Sequence, residues 1–280
     1  MTERTLTLGH SPDPDDAFMF YALAENKIDA PGWKFEHVLQ DIQTLNDRAL
    51  HGELDITAIS IHAYPYVADK YALTNCGSSM GDGYGPLVVS REPIGVEALH
   101  GKRIAVPGTM TTAFLGLNLL LGRGSFEHVV VMFDQILDYV AKGEADAGLI
   151  IHEGQLTYQN QDLHKVIDLG AWWKSETDLP LPLGGNCIRR SLGTDAMNEI
   201  AGIIKESITY GLSHRAEAVE HALQYARDMG TNLADEFVGM YVNEWTIDYG
   251  ETGRQAVREL LCRAHAANLT PDAGEIDFVG

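Results

Sequence analysis

Short apolar runs bounded by Gly, Pro and Asp alternate along this chain with longer stretches of helical period. The clearest run is Ala147-Gly148-Leu149-Ile150-Ile151, which follows the turn Gly143-Glu144-Ala145-Asp146 and stops abruptly at His152-Glu153. A short apolar run ending in β-branched residues suits a parallel strand covered on both faces. The pattern recurs about ninety residues earlier, in Gly52-Glu53-Leu54-Asp55-Ile56-Thr57-Ala58-Ile59-Ser60-Ile61-His62. Aligning the two turns sets Ile61 against His152, with Ser60 one residue before. A second correspondence supports the first. Leu6-Thr7-Leu8-Gly9-His10-Ser11-Pro12 leads into a helical stretch at 15–23, and Arg103-Ile104-Ala105-Val106-Pro107-Gly108 leads into another at 111–121. Both read as strand, tight turn and helix, with small or acidic polar residues at the helix start. Two similar α/β lobes facing each other across a cleft are the simplest account.

The remaining pattern fills in the lobes. Residues 41–50 read as a helix closed by Gly52, and Leu87-Val88-Val89 as a strand. Pro93, Gly95 and Gly101 mark the expected crossing into the second lobe. Val129-Val130-Val131-Met132 is a further strand, 135–142 a helix, and Lys165-Val166-Ile167-Asp168-Leu169 a strand. The aromatic and proline-rich stretch at 171–185 is expected to return toward the first lobe. From Asp195 onward the chain reads as mostly helical. Val257, Leu260, Leu261 and Ala264 form one apolar stripe, and Ile200, Ile203, Ile204 and Ser207 another. The expected fold class is α/β with two lobes: residues 1–95 plus 190–280 form a discontinuous first lobe, and 96–189 the second.

Composition narrows the function classes. A chain of 280 residues with 45% hydrophobic content can bury a substantial core. No apolar run approaches the roughly 18 residues of a membrane span. Met1-Thr2-Glu3-Arg4-Thr5 lacks a charged-then-apolar leader pattern. Cys76, Cys187 and Cys262 are widely spaced, which suggests neither a disulfide framework nor a zinc site, and a reducing cytoplasm is the expected compartment. The net charge of -20 argues against nucleic acid or an anionic membrane surface as the main partner. An anionic small-molecule substrate would need local donors to overcome that field.

Three polar features are candidates for chemistry. His152 emerges at the carboxyl end of its strand, where ligands sit in open α/β sheets. Histidine is the side chain suited to proton transfer near neutral pH; a structural histidine bonded at the strand end is the plainer alternative. Thr109-Met110-Thr111-Thr112 opens the second helix, where free backbone N–H groups and hydroxyls can hold a carboxylate or serve as a simple cap. Ser11-Pro12-Asp13-Pro14-Asp15-Asp16 gathers three carboxylates at a helix entry, short of a recognisable metal-ligand pattern. There is no Gly-x-Ser-x-Gly elbow, no His-Glu-x-x-His helix and no Gly-x-Gly-x-x-Gly fingerprint after a strand, so no dinucleotide cofactor is indicated.

Several of these segments, taken together, resemble the menaquinone-biosynthesis family of the futalosine route. Ser11-Pro12-x-Pro14-x-Asp16-x-Phe18-x-Phe20-Tyr21-Ala22-Leu23 is similar to the family's opening. Gly85-Pro86-Leu87-Val88-Val89, Ala105-Val106-Pro107-Gly108 and Thr111-Thr112-Ala113 are similar to its middle. Ala147 to Glu153, Asp168-Leu169-Gly170-Ala171-Trp172-Trp173 and Leu179-Pro180-Leu181-Pro182-Leu183-Gly184 resemble the branch that makes 1,4-dihydroxy-6-naphthoate, and Tyr241-Val242-Asn243 continues the match.

The resemblance covers almost the whole chain and implies a type II periplasmic-binding-protein-like fold with the active site in the interlobe cleft. It implies a lyase that takes cyclic dehypoxanthine futalosine to 1,4-dihydroxy-6-naphthoate with no cofactor and no metal. His152 then falls on the catalytic base, with Ala58, Ile59, Ser60, Thr111 and Thr112 at substrate-binding positions; Tyr158, close after His152, is expected to line the cleft. The chain departs from the family pattern at Asp13 and Asp15, where smaller or uncharged residues are common. Such carboxylates would repel an anionic substrate unless they face solvent, so the three Asp are left out of the expected site. Chorismate dehydratase, a sister enzyme of the pathway, and a non-catalytic solute-binding protein are the alternatives.

Overall fold

A computed structural model describes residues 3–225 and 230–280. In chain order they form β1 (Arg4–His10), α1 (Pro14–Met19), α2 (Tyr21–Ala24), β2 (Trp33–Leu39), α3 (Ile42–His51), β3 (Ile56–Ser60), β4 (Tyr71–Thr74), β5 (Ser79–Gly81) and β6 (Leu87–Ser90). Next come β7 (Arg103–Val106), α4 (Thr112–Leu121), β8 (Glu127–Val130), α5 (Ile136–Ala141), β9 (Ala147–Ile150), α6 (Gly154–Thr157), β10 (His164–Asp168), α7 (Leu169–Thr177) and β11 (Leu181–Arg189). The remainder is α8 (Thr194–Ser213), α9 (Arg215–Leu223), α10 (Thr231–Tyr241), α11 (Glu244–Ile247), α12 (Gly250–Ala266) and β12 (Phe278–Val279).

The strands make two sheets. The first runs β12-β4-β11-β3-β1-β2 with β5 beside β11, and the second runs β10-β6-β9-β7-β8. The internal correspondence read from the turns is visible here as topology. In each sheet three strands pair in parallel in the same order, β3-β1-β2 and β9-β7-β8, and an antiparallel strand closes the same side, β11 on β3 and β6 on β9. Every residue of β3 and of β9 is buried, as their unbroken apolar runs require.

The sheet memberships differ from the expected lobe boundaries at two strands. Leu87–Ser90 lies in the second sheet and Leu181–Arg189 in the first. Both crossings therefore come earlier than the boundaries at 95 and 189. The Pro and Gly residues between 93 and 101 instead form the turn that leads into β7. The true crossing, Asp82-Gly83-Tyr84-Gly85-Pro86, is tight. A Cβ on Gly170, at the start of α7, would lie 1.9 Å from the Tyr84 carbonyl oxygen, so the two crossings touch backbone to backbone. The strand expected over 129–132 ends at Val130, which leaves Val130 and Met132 exposed.

Local signals place the elements that carry the site. The side chain of Asp41 accepts the Thr44 N–H at 3.0 Å and starts α3; Gly52, at φ 67°, ends it. The helical C-terminal part packs as its stripes indicate. Ile200, Ile203 and Ile204 share a core with Phe18, Met19 and Phe20 of the α1 region, and Val257, Leu260, Leu261 and Ala264 pack with Tyr64, Tyr71 and Leu73.

Candidate functional site

A cavity opens where the carboxyl ends of the strands from both sheets converge. Ser11, Ala58, Ile59 and Ser60 line it from the first sheet. Thr111, Thr112, Ala113 and Ile151 enter from loops and helices of the second. Gly184, Gly185 and Asn186 of β11 and Tyr241 of α10 complete much of the wall. Five of the seven expected site residues, Ala58, Ile59, Ser60, Thr111 and Thr112, thus face one space.

Ser60 is held by Asn46, a fully buried residue of α3. The Asn46 side chain accepts the Ser60 N–H at 2.8 Å and donates to Ser60 Oγ at 3.0 Å, which leaves the Ser60 hydroxyl proton available to a ligand. The same amide reaches the Met110 carbonyl at 3.4 Å, and Gln43, one turn earlier on α3, accepts the Met110 N–H at 3.0 Å. Helix α3 therefore ties the first sheet's strand end to the loop that opens α4.

Both threonine hydroxyls have internal duties. Thr111 Oγ1 accepts the Phe114 N–H at 3.2 Å and donates to the Gly108 carbonyl at 2.9 Å. Thr112 Oγ1 donates to Leu183 O at 2.6 Å and accepts the His62 N–H at 3.1 Å. The plain cap is thus what the Thr111 hydroxyl does. The backbone N–H groups of Thr112 and Ala113, at the first two positions of α4, have no intrahelical acceptor, and both residues line the cavity. They form an anion-compatible corner, to which the start of α4 adds partial positive charge. His62 buttresses that corner: its Nδ1–H donates to Thr111 O at 3.1 Å, and burial lowers its pKa to about 4.

His152 is buried and lies just beyond Ile151, but it does not line the cavity. Its Nδ1 accepts the Gly154 N–H at 2.9 Å, so the Nε2 nitrogen carries the proton and donates to the Phe133 carbonyl. The Phe133 ring packs edge-on at 5.1 Å, and Glu153 Oε2 lies 3.9 Å from Nδ1. A Cβ on residue 154 would stand 2.7 Å from His152 Cε1, so Gly154 is what makes room for the ring. Tyr158 is not at the cleft. It packs on the core under the second sheet with Leu137 and Ile150, and its hydroxyl accepts from Gln159 Nε2 at 3.2 Å.

The three aspartates left out of the expected site do line the cavity. Pro14 and Asp15 occupy the first turn of α1, and this turn folds back on Ser11. Asp16 Oδ2 accepts the Ser11 N–H at 2.7 Å, Ser11 Oγ donates to Asp13 at 2.8 Å, and Ser79 Oγ donates to Asp15 at 3.3 Å. Burial, with the Asp13 charge second, raises the Asp15 pKa to about 7; burial raises Asp16 well above the ordinary carboxylate range, with Asp15 adding to it. The raised pKa values of Asp15 and Asp16 lessen their repulsion of an anion near neutral pH. Among the described residues, no group of three or more His, Cys, Asp or Glu side chains is placed to hold a metal ion.

Sequence reasoning also passed over Asn46, Asn186 and Tyr241. An Asn inside an amphipathic helix carries no local mark of its role. Tyr241 stood in a recognised segment, but nothing in that segment indicates which side chain reaches the cavity.

Comparisons with known proteins identify the family and the fold. The profile of a family described as menaquinone biosynthesis matches residues 6–266. A 1,4-dihydroxy-6-naphthoate synthase of Thermus thermophilus is 43% identical over 274 residues, covering 98% of this chain and 99% of that protein. A protein of the same name from Streptomyces coelicolor is 40% identical over 280 residues, covering 98% of each. A crystal structure of an Archaeoglobus fulgidus protein superposes with a TM-score of 0.90 at 44% identity, covering 95% of this chain and 98% of that one. A Candida albicans protein with the generic periplasmic binding protein fold has a TM-score of 0.66 at 15% identity over 99% of each chain, a likeness of fold alone. The fold is thus α/β, of periplasmic-binding-protein type, with two sheets. By the full-length profile match and both relatives, the chain belongs to the menaquinone biosynthesis family.

Proposed function

We propose that the protein is a lyase that converts cyclic dehypoxanthine futalosine to 1,4-dihydroxy-6-naphthoate. The observation that carries this reading is the convergence of Ser60, Thr111 and Thr112 on one cavity, in a chain 43% identical to a synthase of that name. The substrate carboxylate belongs at the start of α4, against the Thr112 and Ala113 N–H groups and the Ser60 hydroxyl. Opening of the substrate's cyclic hemiacetal gives a carbonyl that acidifies the neighbouring C–H, and His152 takes that proton as the ring system aromatises.

His152 is a neutral imidazole in the arrangement described above, the form a base needs. To act, its ring must exchange the Phe133 carbonyl and the Gly154 N–H for the substrate. Each such hydrogen bond has a net worth of only about 0.5–1.5 kcal/mol, so substrate contacts can offset the change. Closure of the two lobes around the substrate would supply the motion and exclude water. The assay is product formation by purified protein given cyclic dehypoxanthine futalosine, with chorismate in parallel. Naphthoate from the first substrate alone supports the reading. Turnover of chorismate alone would make the protein the sister dehydratase, and turnover of neither would leave a solute receptor.

A further inference from the structure

His152 accounts for one proton transfer, yet the overall reaction moves a proton twice. It leaves a ring carbon, and the departing sugar-derived fragment must gain one. Asp15 is placed for the second transfer. It is half-buried on the first turn of α1 and lines the same cavity as Ser60 and the start of α4. Its carboxyl accepts from Ser79 Oγ over a long 3.3 Å and from the backbone N–H groups of Asp15 and Asp16. Asp13 and Asp16 are bonded to Ser11 on the same turn, and Tyr241, a cavity-lining residue of α10, donates its hydroxyl proton to Gln155 at 2.9 Å. Asp15 thus lines the cavity with a carboxyl whose side-chain hydrogen bond to Ser79 is long.

A second observation points to a hydroxyl-bearing ligand in the same cavity. Asn186 lines the cavity and is 1% exposed, and its Nδ2 donates to Gly77 O at 3.1 Å. Its Oδ1 is buried without a hydrogen-bond partner among the described residues. An acceptor left in that state is costly unless a ligand brings a donor. A polyhydroxylated, sugar-derived fragment supplies O–H groups of that kind.

We propose that Asp15 is the general acid of the reaction, delivering a proton to the sugar-derived fragment as it leaves. The proposal rests on the lyase reading above. In the first step the ring C–H bond breaks, the proton goes to His152, and the electron pair is held as an enolate by the carbonyl. In the second step that pair forms the new ring double bond, the bond between ring and fragment breaks, and the fragment takes the Asp15 proton at the atom released. Asp15 ends as a carboxylate and His152 as an imidazolium, and proton return from the second to the first resets the site. No electron is gained or lost overall. A carboxyl with a pKa of about 7 is well suited to both halves of this cycle near neutral pH.

The test compares wild type, Asp15→Asn and Asp15→Glu with cyclic dehypoxanthine futalosine in deuterated buffer. Naphthoate formation and exchange of the acidified C–H are followed together by NMR. Asn at position 15 still accepts from Ser79, so the cavity wall is retained, and thermal melting verifies the fold. The expected result for Asp15→Asn is loss of product by about 100-fold or more with exchange preserved, because His152 still takes its proton. Asp15→Glu, which keeps an acid, recovers part of the product rate. Product within about threefold of wild type in Asp15→Asn, or equal loss of exchange and product, overturns the assignment. If wild type yields no naphthoate, the lyase reading itself fails, and this assignment fails with it.

Discussion

Asn46→Ala is the perturbation whose cost can be worked most directly from the structure. Asn46 is fully buried and makes two good hydrogen bonds to Ser60 and a weaker one to Met110. The substitution leaves the Ser60 N–H buried without an acceptor, at about 1–3 kcal/mol. It also removes the donation to Ser60 Oγ, worth about 0.5–1.5 kcal/mol net. The contact to Met110 at 3.4 Å adds little. The sum is roughly 2–4 kcal/mol, or a drop in melting temperature of about 5–15 °C for a chain of this size. The function should suffer more than the fold, because the same amide sets the Ser60 hydroxyl and steadies the loop before Thr111. Urea denaturation followed by circular dichroism gives the stability, and initial rates give kcat/KM. Stability within about 0.5 kcal/mol of wild type, the range of an inconsequential substitution, would refute the reasoning about Ser60.

Other expectations follow from single contacts. Gly154→Ala puts a methyl group against the His152 ring, so kcat should fall by about tenfold or more while the melting temperature moves little; an unchanged kcat would show that the ring position is unimportant. His62 has a folded pKa of about 4, below its unfolded value, so the unfolded chain binds the extra proton between about pH 6.5 and 4. Its stabilisation is complete above that window and lost as pH falls through it, by up to about 3 kcal/mol; His62→Gln should flatten this acid-side loss in denaturation curves. Asp15 has the opposite sign. Its raised pKa favours the folded state below the ordinary carboxylate pKa and disfavours it as pH rises toward 7, so Asp15→Asn should be more stable than wild type at pH 8 and not at pH 3. Equal stabilities at pH 8 would show that Asp15 carries no such strain.

The repeated turn was legible because it obeys local rules. Gly-Glu-x-Asp followed by an unbroken apolar run is a strand whichever sheet receives it, and β3 and β9 prove to be equivalent strands of two matching sheets. What the local pattern could not show is which sheet a strand joins. β6 and β11 fall in the opposite sheets from those expected, and the crossings bring Tyr84 close to Gly170, a contact between residues far apart in the chain. The same limit applies at the cavity. Ser60, Thr111 and Thr112 sit at strand ends and a helix start, where position indicates exposure to a ligand. Asn46 and Asn186 act through partners that only the tertiary structure brings near. Asp13, Asp15 and Asp16 are left out of the expected site because carboxylates repel an anion unless they face solvent; α1, packed against α8, α9 and α10, instead sets all three in the cavity wall. Tyr158 was misplaced because distance along the chain from His152 is no guide to direction once α6 turns.

The most direct test of the account is the comparison of wild type with His152→Asn on cyclic dehypoxanthine futalosine. Asn can still accept the Gly154 N–H where Nδ1 does but cannot act as a base, so the account predicts naphthoate from wild type and a loss of at least about 100-fold in the variant, with substrate binding retained. Equal turnover by a well-folded His152→Asn protein would contradict it.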